Sequence, residues 1–146
     1  MQLSKFTDLG IRVLLLLSSA PDMPMTIGQL AERLQVSKNH LMKIVHFMSK
    51  QQWLLTVRGK NGGIRLANPP ESYKVGYLIR VLEENINTSQ AVVNCSSPQC
   101  VLTPACQLPS FLNSAMNQFY NYLDQYCLPD ILHRPIEHII SLRINK

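Results

Sequence analysis

Thr26-Ile-Gly-Gln-Leu-Ala-Glu-Arg-Leu-Gln-Val-Ser37-Lys-Asn-His-Leu-Met-Lys-Ile-Val-His-Phe-Met48 carries two helix starts in close succession. Thr26 and Gln29 stand at the two ends of a capping box, in which a hydroxyl and a side-chain amide satisfy each other's free backbone N–H groups. The helix they open has Ile27, Leu30, Ala31 and Leu34 as its apolar positions. After a brief turn at Gln35-Val36, Ser37 is a second N-cap, and the helix from about Lys38 to Gln51 buries Leu41, Ile44, Val45 and Met48. Two helices joined by so short a turn make a helix-turn-helix.

The flanks complete the unit. On the C-terminal side, Trp53-Leu-Leu-Thr-Val57 and Ile64-Arg-Leu66 read as strands joined through Arg58-Gly-Lys-Asn-Gly-Gly63, where Asn61-Gly62 is a strong hairpin signal. A helix-turn-helix followed directly by a basic hairpin is a winged helix, closed here by Pro69-Pro70. On the N-terminal side, Phe6, Leu9, Val13, Leu16 and Leu17 give residues 4–20 a helical period that Pro21 stops. Further on, Val75 to Glu84 reads as a helix with Val75, Leu78, Ile79 and Leu82 on one face. Residues 85–101 are polar and irregular, and a long loop of that kind is commonly functional. Thr103-Pro104 is a cap and first-turn pair for a long helix to about Tyr126, with Leu108, Leu112, Ala115, Met116, Phe119 and Leu123 as its stripe. Pro109 either kinks the first turns of that helix or marks where regular helix begins. Pro129 ends it, and a short helix from about Asp130 and a tail follow.

The expected fold is therefore mainly α with a small β-hairpin wing. It divides into a winged helix-turn-helix (1–70), a connecting helix with a cysteine-rich loop (71–107), and a dimerisation helix with tail (108–146). The apolar stripe of the long helix supplies the expected homodimer interface, because no other element is long enough to cover it.

Composition bounds the partners. Residues 1–80 hold eleven Lys/Arg against four Asp/Glu and residues 81–146 three against five, so the halves carry +7 and −2 of the total +5. A basic first half points to a polyanion bound there only. No stretch approaches the roughly 18 apolar residues of a membrane span, and no secretory signal pattern is visible, so a cytoplasmic protein with reduced thiols is expected. Ser37, Lys38, Asn39, His40 and Lys43 lie at the end and exposed face of the second helix that would enter a major groove. Asn39 suits adenine, and Lys38 or Lys43 guanine or phosphate. Arg58, Lys60 and Asn61 form a wing tip suited to phosphates or a narrow minor groove. The helix residues alone read as a solvated face; with the wing they favour double-stranded DNA. The glycine-rich tip is no nucleotide-binding loop, since it lacks the G-x-x-x-x-G-K-[ST] spacing and opens no helix.

Three of the four cysteines fall in Cys95-Ser-Ser-Pro-Gln-Cys100-Val-Leu-Thr-Pro-Ala-Cys106. This spacing permits an iron–sulfur site, a structural zinc site or free thiols. No Asp, Glu or His lies between residues 85 and 106, so a fourth ligand must come from elsewhere. Cys127 stands about 21 residues beyond Cys106, roughly 30 Å along a helix, and reads as a small buried apolar side chain. An iron–sulfur electron carrier is the rival of a different class; no substrate site or second cofactor motif supports it.

The opening Met1-Gln-Leu-Ser-Lys-Phe-Thr-Asp-Leu-Gly-Ile-Arg12, the wing Val57–Leu66 and the stretch Asn94–Cys106 together resemble the NsrR-type regulators, nitric-oxide-sensitive repressors related to the iron–sulfur regulator IscR. The resemblance spans essentially residues 1–130; Pro109, just after Cys106, departs from it. It implies a homodimeric winged-helix repressor that binds operator DNA while one [4Fe-4S] cluster per subunit is intact, and that is not an enzyme. Cys95, Cys100 and Cys106 match the family's thiolate ligands, and the fourth, a carboxylate from the partner subunit, matches Asp8. By position alone Asp8 is a first-turn residue stabilised by the helix dipole. The residues themselves leave [2Fe-2S] open, and within the family a sensor of iron or cluster supply is the alternative to a nitric oxide sensor.

Overall fold

The computed structural model describes residues 2–59, 62–86, 92–96 and 98–132. Helices α1 (Lys5–Ser18), α2 (Ile27–Leu34) and α3 (Lys38–Lys50) precede strands β1 (Leu54–Val57) and β2 (Gly63–Leu66). A 3₁₀ turn at Pro70–Ser72, then α4 (Val75–Ile86), α5 (Leu108–Leu123) and α6 (Leu128–Ile131) follow. The caps form as the sequence dictates. Thr26 accepts from Gln29 N–H and the reciprocal bond is present, while Ser37 accepts from His40 N–H. Gln35, the cap residue ending α2, is left-handed at φ 56°, so its N–H reaches back to the Ala31 and Glu32 carbonyls and turns the chain sharply into Ser37.

The hairpin is antiparallel, with Leu54 opposite Leu66 and Val57 opposite Gly63. This register makes the wing tip wider than a two-residue Asn-Gly turn. Gly59 sits at φ 111°, and its carbonyl accepts from Gly62 N–H at 2.9 Å. Lys60 and Asn61 lie outside the described residues. Met25 adds an unforeseen rung: its N–H and carbonyl exchange bonds of 2.9 and 2.8 Å with Ile64, pinning the wing to the start of α2.

One core runs through the chain. Val13, Leu14, Leu16 and Leu17 of α1, Leu41 and Met48 of α3, Leu54 and Leu66 of the hairpin, Leu78 and Leu82 of α4 and Leu128 of α6 belong to it. Burying such side chains stabilises by roughly 1.5–3 kcal/mol each before chain entropy is counted. Tyr73 closes the wing's base: its buried hydroxyl donates to the Trp53 carbonyl at 2.7 Å and accepts from Asn68 N–H at 3.0 Å. The elements after the wing are thus fastened to it by core packing and by a buried polar knot.

The start of the long helix differs from the Thr103-Pro104 expectation. Residues 101–105 form turns, and α5 begins at Leu108 with Pro109 in its first turn. Thr103 does not cap forward. Its hydroxyl donates back to the Cys100 carbonyl at 2.7 Å, so it serves the cysteine loop instead. Pro109 is then unstrained, because first-turn N–H groups have no helical acceptor. Cys127 is also corrected. It is half-buried, not a packed apolar residue, and its thiol donates to Asp130 Oδ2 at 2.9 Å at the start of α6. That carboxylate pushes the Cys127 thiol's pKa up, and the same bond holds the Asp130 carboxyl's down.

Candidate DNA-reading surface and cysteine loop

Helix α3 separates its two faces cleanly. Leu41, Ile44, Val45 and Met48 are buried, while Lys38, Asn39, His40, Lys43 and His46 are exposed. Ser37, Arg58 and Arg65 are exposed as well. Two members of this surface escaped the sequence reading. Met42, 48% exposed, lies in the middle of the face, and His46 lies one turn beyond. Their three- and four-residue steps from Asn39 were the available signal.

An open cleft of about 700 Å³ separates the starts of α2 and α3, lined by Thr26, Gly28, Gln29, Ser37 and Lys38 among others. Lys38 folds over the start of α2: a Cβ built on Gly28 would lie 3.7 Å from its ammonium. A cation placed against the positive end of a helix dipole is favourable when an anion shares the site, as a DNA phosphate would. The surface can therefore place a helix in a major groove and put cations on the flanking backbone.

The cysteine loop joins α4 to α5. Cys95, Cys100 and Cys106 are half-buried, free thiols. Backbone bonds chain them together: Cys100 N–H donates to the Cys95 carbonyl at 3.0 Å, Thr103 N–H to the Cys100 carbonyl at 3.2 Å, and Cys106 N–H to the Leu102 carbonyl at 2.9 Å. Among the described residues no three His, Cys, Asp or Glu side chains come together as metal ligands. Asp8 is far from idle, since its carboxylate grips Arg12 one turn on, at 2.9 Å to both Nε and Nη2. The donor chemistry nonetheless suits iron and sulfide: three soft thiols in one loop, with no hard carboxylate among them.

The α4–α5 pair carries this loop on the core. Asp124, at the end of α5, accepts from Tyr77 N–H in the first turn of α4 at 2.7 Å, and Val75 N–H donates to the Tyr126 carbonyl at 3.0 Å. Arg80 of α4 stacks 4.9 Å from the Tyr120 ring centroid. Burial, with Glu83 nearby, pushes the Tyr120 hydroxyl's pKa up. The other side of α5 stays open: Leu108, Phe111 and Tyr122 are exposed, and no α5 residue is fully buried.

A mainly helical chain with a two-stranded wing and an exposed basic recognition helix is a winged-helix regulator. More narrowly, the chain belongs to the Rrf2 family, described as iron-dependent transcriptional regulators, whose sequence profile matches residues 3–134. It is accordingly a transcriptional regulator and not an enzyme, in a family whose members bind DNA as dimers. The fold is shared with IscR of T. potens, at 23% identity and TM-score 0.68 over 90% of this chain and 85% of that one. It is shared also with CymR, the global cysteine regulator of B. subtilis, at 19% identity and TM-score 0.67 over 90% and 95%. The oxidised form of Staphylococcus aureus CymR matches at 19% identity and TM-score 0.68 over 92% and 98%. No helix among the described residues is long and apolar enough to cross a membrane.

Proposed function

We propose that this regulator is a cytoplasmic, nitric-oxide-responsive repressor of the NsrR type. It binds operator DNA as a homodimer through residues 1–70, holds an iron–sulfur cluster on the loop within 71–107, and dimerises through 108–146. The observation that carries this reading is the placement of three half-buried free thiols on the loop between α4, which is built into the core of the DNA-binding unit, and α5, whose outer apolar face is uncovered. Cys95, Cys100 and Cys106 would hold a [4Fe-4S] cluster, with Asp8 of the partner subunit as fourth ligand. The cluster, when bound, supplies an iron centre with one labile oxygen ligand that nitric oxide can attack. The chain's own residues do the rest. Releasing Asp8 from Arg12 to serve the partner links one subunit's α1 to the other's cysteine loop, and losing that link frees the recognition helices from a common register.

On DNA, Ser37, Lys38, Asn39, His40 and Lys43 enter the major groove, while Arg58, Lys60 and Asn61 follow the backbone beside it. Asn39→Ala is expected to cost roughly 1–3 kcal/mol and to relax preference at one base pair. Arg58→Ala is expected to weaken all sequences alike and to lower the salt slope by about one. Anisotropy titrations against operator and scrambled duplexes at several salt concentrations read both effects. Uniform weakening by Asn39→Ala would remove it from base reading. The family description as iron-dependent favours a second reading, a sensor of iron or cluster supply. DNA release on iron depletion, with indifference to nitric oxide, would select it.

A further inference from the structure

The backbone of the cysteine loop distinguishes Cys95 and Cys100 from the other two thiols. Ser96 pairs with Gln99 as an antiparallel bridge, and just outside that bridge Cys100 N–H donates to the Cys95 carbonyl at 3.0 Å. Residues directly opposed in an antiparallel pair have Cα atoms about 4.5–5.5 Å apart, inside the roughly 4.4–6.8 Å that a disulfide spans. Asn94 reinforces the turn, its side-chain oxygen accepting from Ser96 N–H at 3.0 Å. Both thiols are free and half-buried. Cys106 lies beyond the turns of residues 101–105, on the other side of Cys100. Cys127 is engaged elsewhere, its thiol donating to Asp130 Oδ2 at 2.9 Å at the start of α6.

We propose that in the cluster-free chain Cys95 and Cys100 are a peroxide-oxidised dithiol that closes an intrachain disulfide. One thiolate attacks a peroxide oxygen. The S–O bond forms, the O–O bond breaks, and the departing hydroxide takes a proton to become water. The second thiolate attacks the resulting sulfenic sulfur; the S–S bond forms, the S–O bond breaks, and a second water leaves. Two electrons pass from the sulfurs to the peroxide. The disulfide removes two of the loop's three thiols from metal binding, so the oxidised chain takes up no cluster until a reductant reopens it. This chemistry needs only the turn, so a chain that never carries a cluster would close the same disulfide.

The test uses the full chain, stripped of metal by a chelator, reduced, freed of reductant and given one equivalent of hydrogen peroxide. Thiols are alkylated before and after, and fragmentation of the peptide spanning residues 81–143 identifies the unlabelled positions. Alkylatable thiols are expected to fall from four to two with a mass loss of about 2 Da, the unlabelled pair being Cys95 and Cys100. In Cys100→Ser the mass loss disappears, and a sulfenic acid becomes trappable at Cys95. A different unlabelled pair, a covalent dimer, or oxygen adducts with both cysteines still separately accounted for would overturn the proposal.

Discussion

Replacing Cys100 by Ser is expected to leave the protein colourless and to weaken operator binding roughly 5- to 150-fold, the range of ordinary allosteric coupling. Oxygen is a harder ligand than sulfur, so serine leaves the loop only two of its three soft ligands for iron. Cys100 is central to the loop: its N–H binds Cys95, and its carbonyl accepts both the N–H and the hydroxyl of Thr103. Those are backbone acceptors and donors, and serine keeps them. The change therefore removes the ligand while leaving the turn. Cys127→Ser is the matching control, since that thiol serves Asp130 at the start of α6. It is expected to retain the cluster and the operator affinity. Iron and sulfide analysis beside anaerobic anisotropy, at one fixed salt concentration, reads both variants. A Cys100→Ser protein that bound DNA as tightly as the wild type would separate the cysteines from DNA recognition altogether.

Gly76→Ala carries the second large effect, and here two terms oppose. Helix propensity alone favours alanine by about 0.8–1 kcal/mol. Packing decides the other way. A Cβ at residue 76 would collide with the Tyr120 carbonyl oxygen and come within 2.7–2.8 Å of the Asp124 carboxylate. The obstacle is backbone, so no rotamer relieves it. Helix α5 must move off α4, stretching the Asp124 bond to Tyr77 N–H and the Arg80–Tyr120 stack. Overpacking of this kind costs typically 1–3 kcal/mol, which exceeds the propensity gain. Denaturant unfolding is expected to show a net loss of stability, and size-exclusion chromatography a weakened dimer, because α5 is the proposed interface. A more stable variant would mean that α4 and α5 are not so closely packed.

The parts of this fold legible in the sequence are those fixed locally. Thr26, Gln29 and Ser37 cap their own helices, and the periods of three and four in α1 and α3 mark the buried stripes without reference to anything distant. The missed parts depend on partners far along the chain. Met25 pairs with Ile64 across the unit, and a single strand residue after Pro24 has no period to detect. Thr103 has the chemistry of a forward cap but spends its hydroxyl on the preceding turn. Cys127 reads as apolar until Asp130 is seen to accept its hydrogen bond. At the candidate DNA-reading surface, Met42 follows Asn39 by one helical step, but an apolar side chain is no signal of a solvent-facing position. The cysteine cluster was plain from spacing. What completes the set is not legible, since among the described residues no three His, Cys, Asp or Glu side chains converge as ligands.

The central claim is that cluster and DNA affinity are coupled. Its most direct test is an anaerobic titration of cluster-loaded wild-type protein against a duplex selected from random sequence by that same protein, before and after nitric oxide. About four irons and four sulfides per chain are expected for a [4Fe-4S] site. The visible absorption should then bleach, and affinity should fall roughly 5- to 150-fold, in step with the nitric oxide added. Stoichiometric zinc in place of iron, or DNA affinity unchanged after the cluster is bleached, would contradict it.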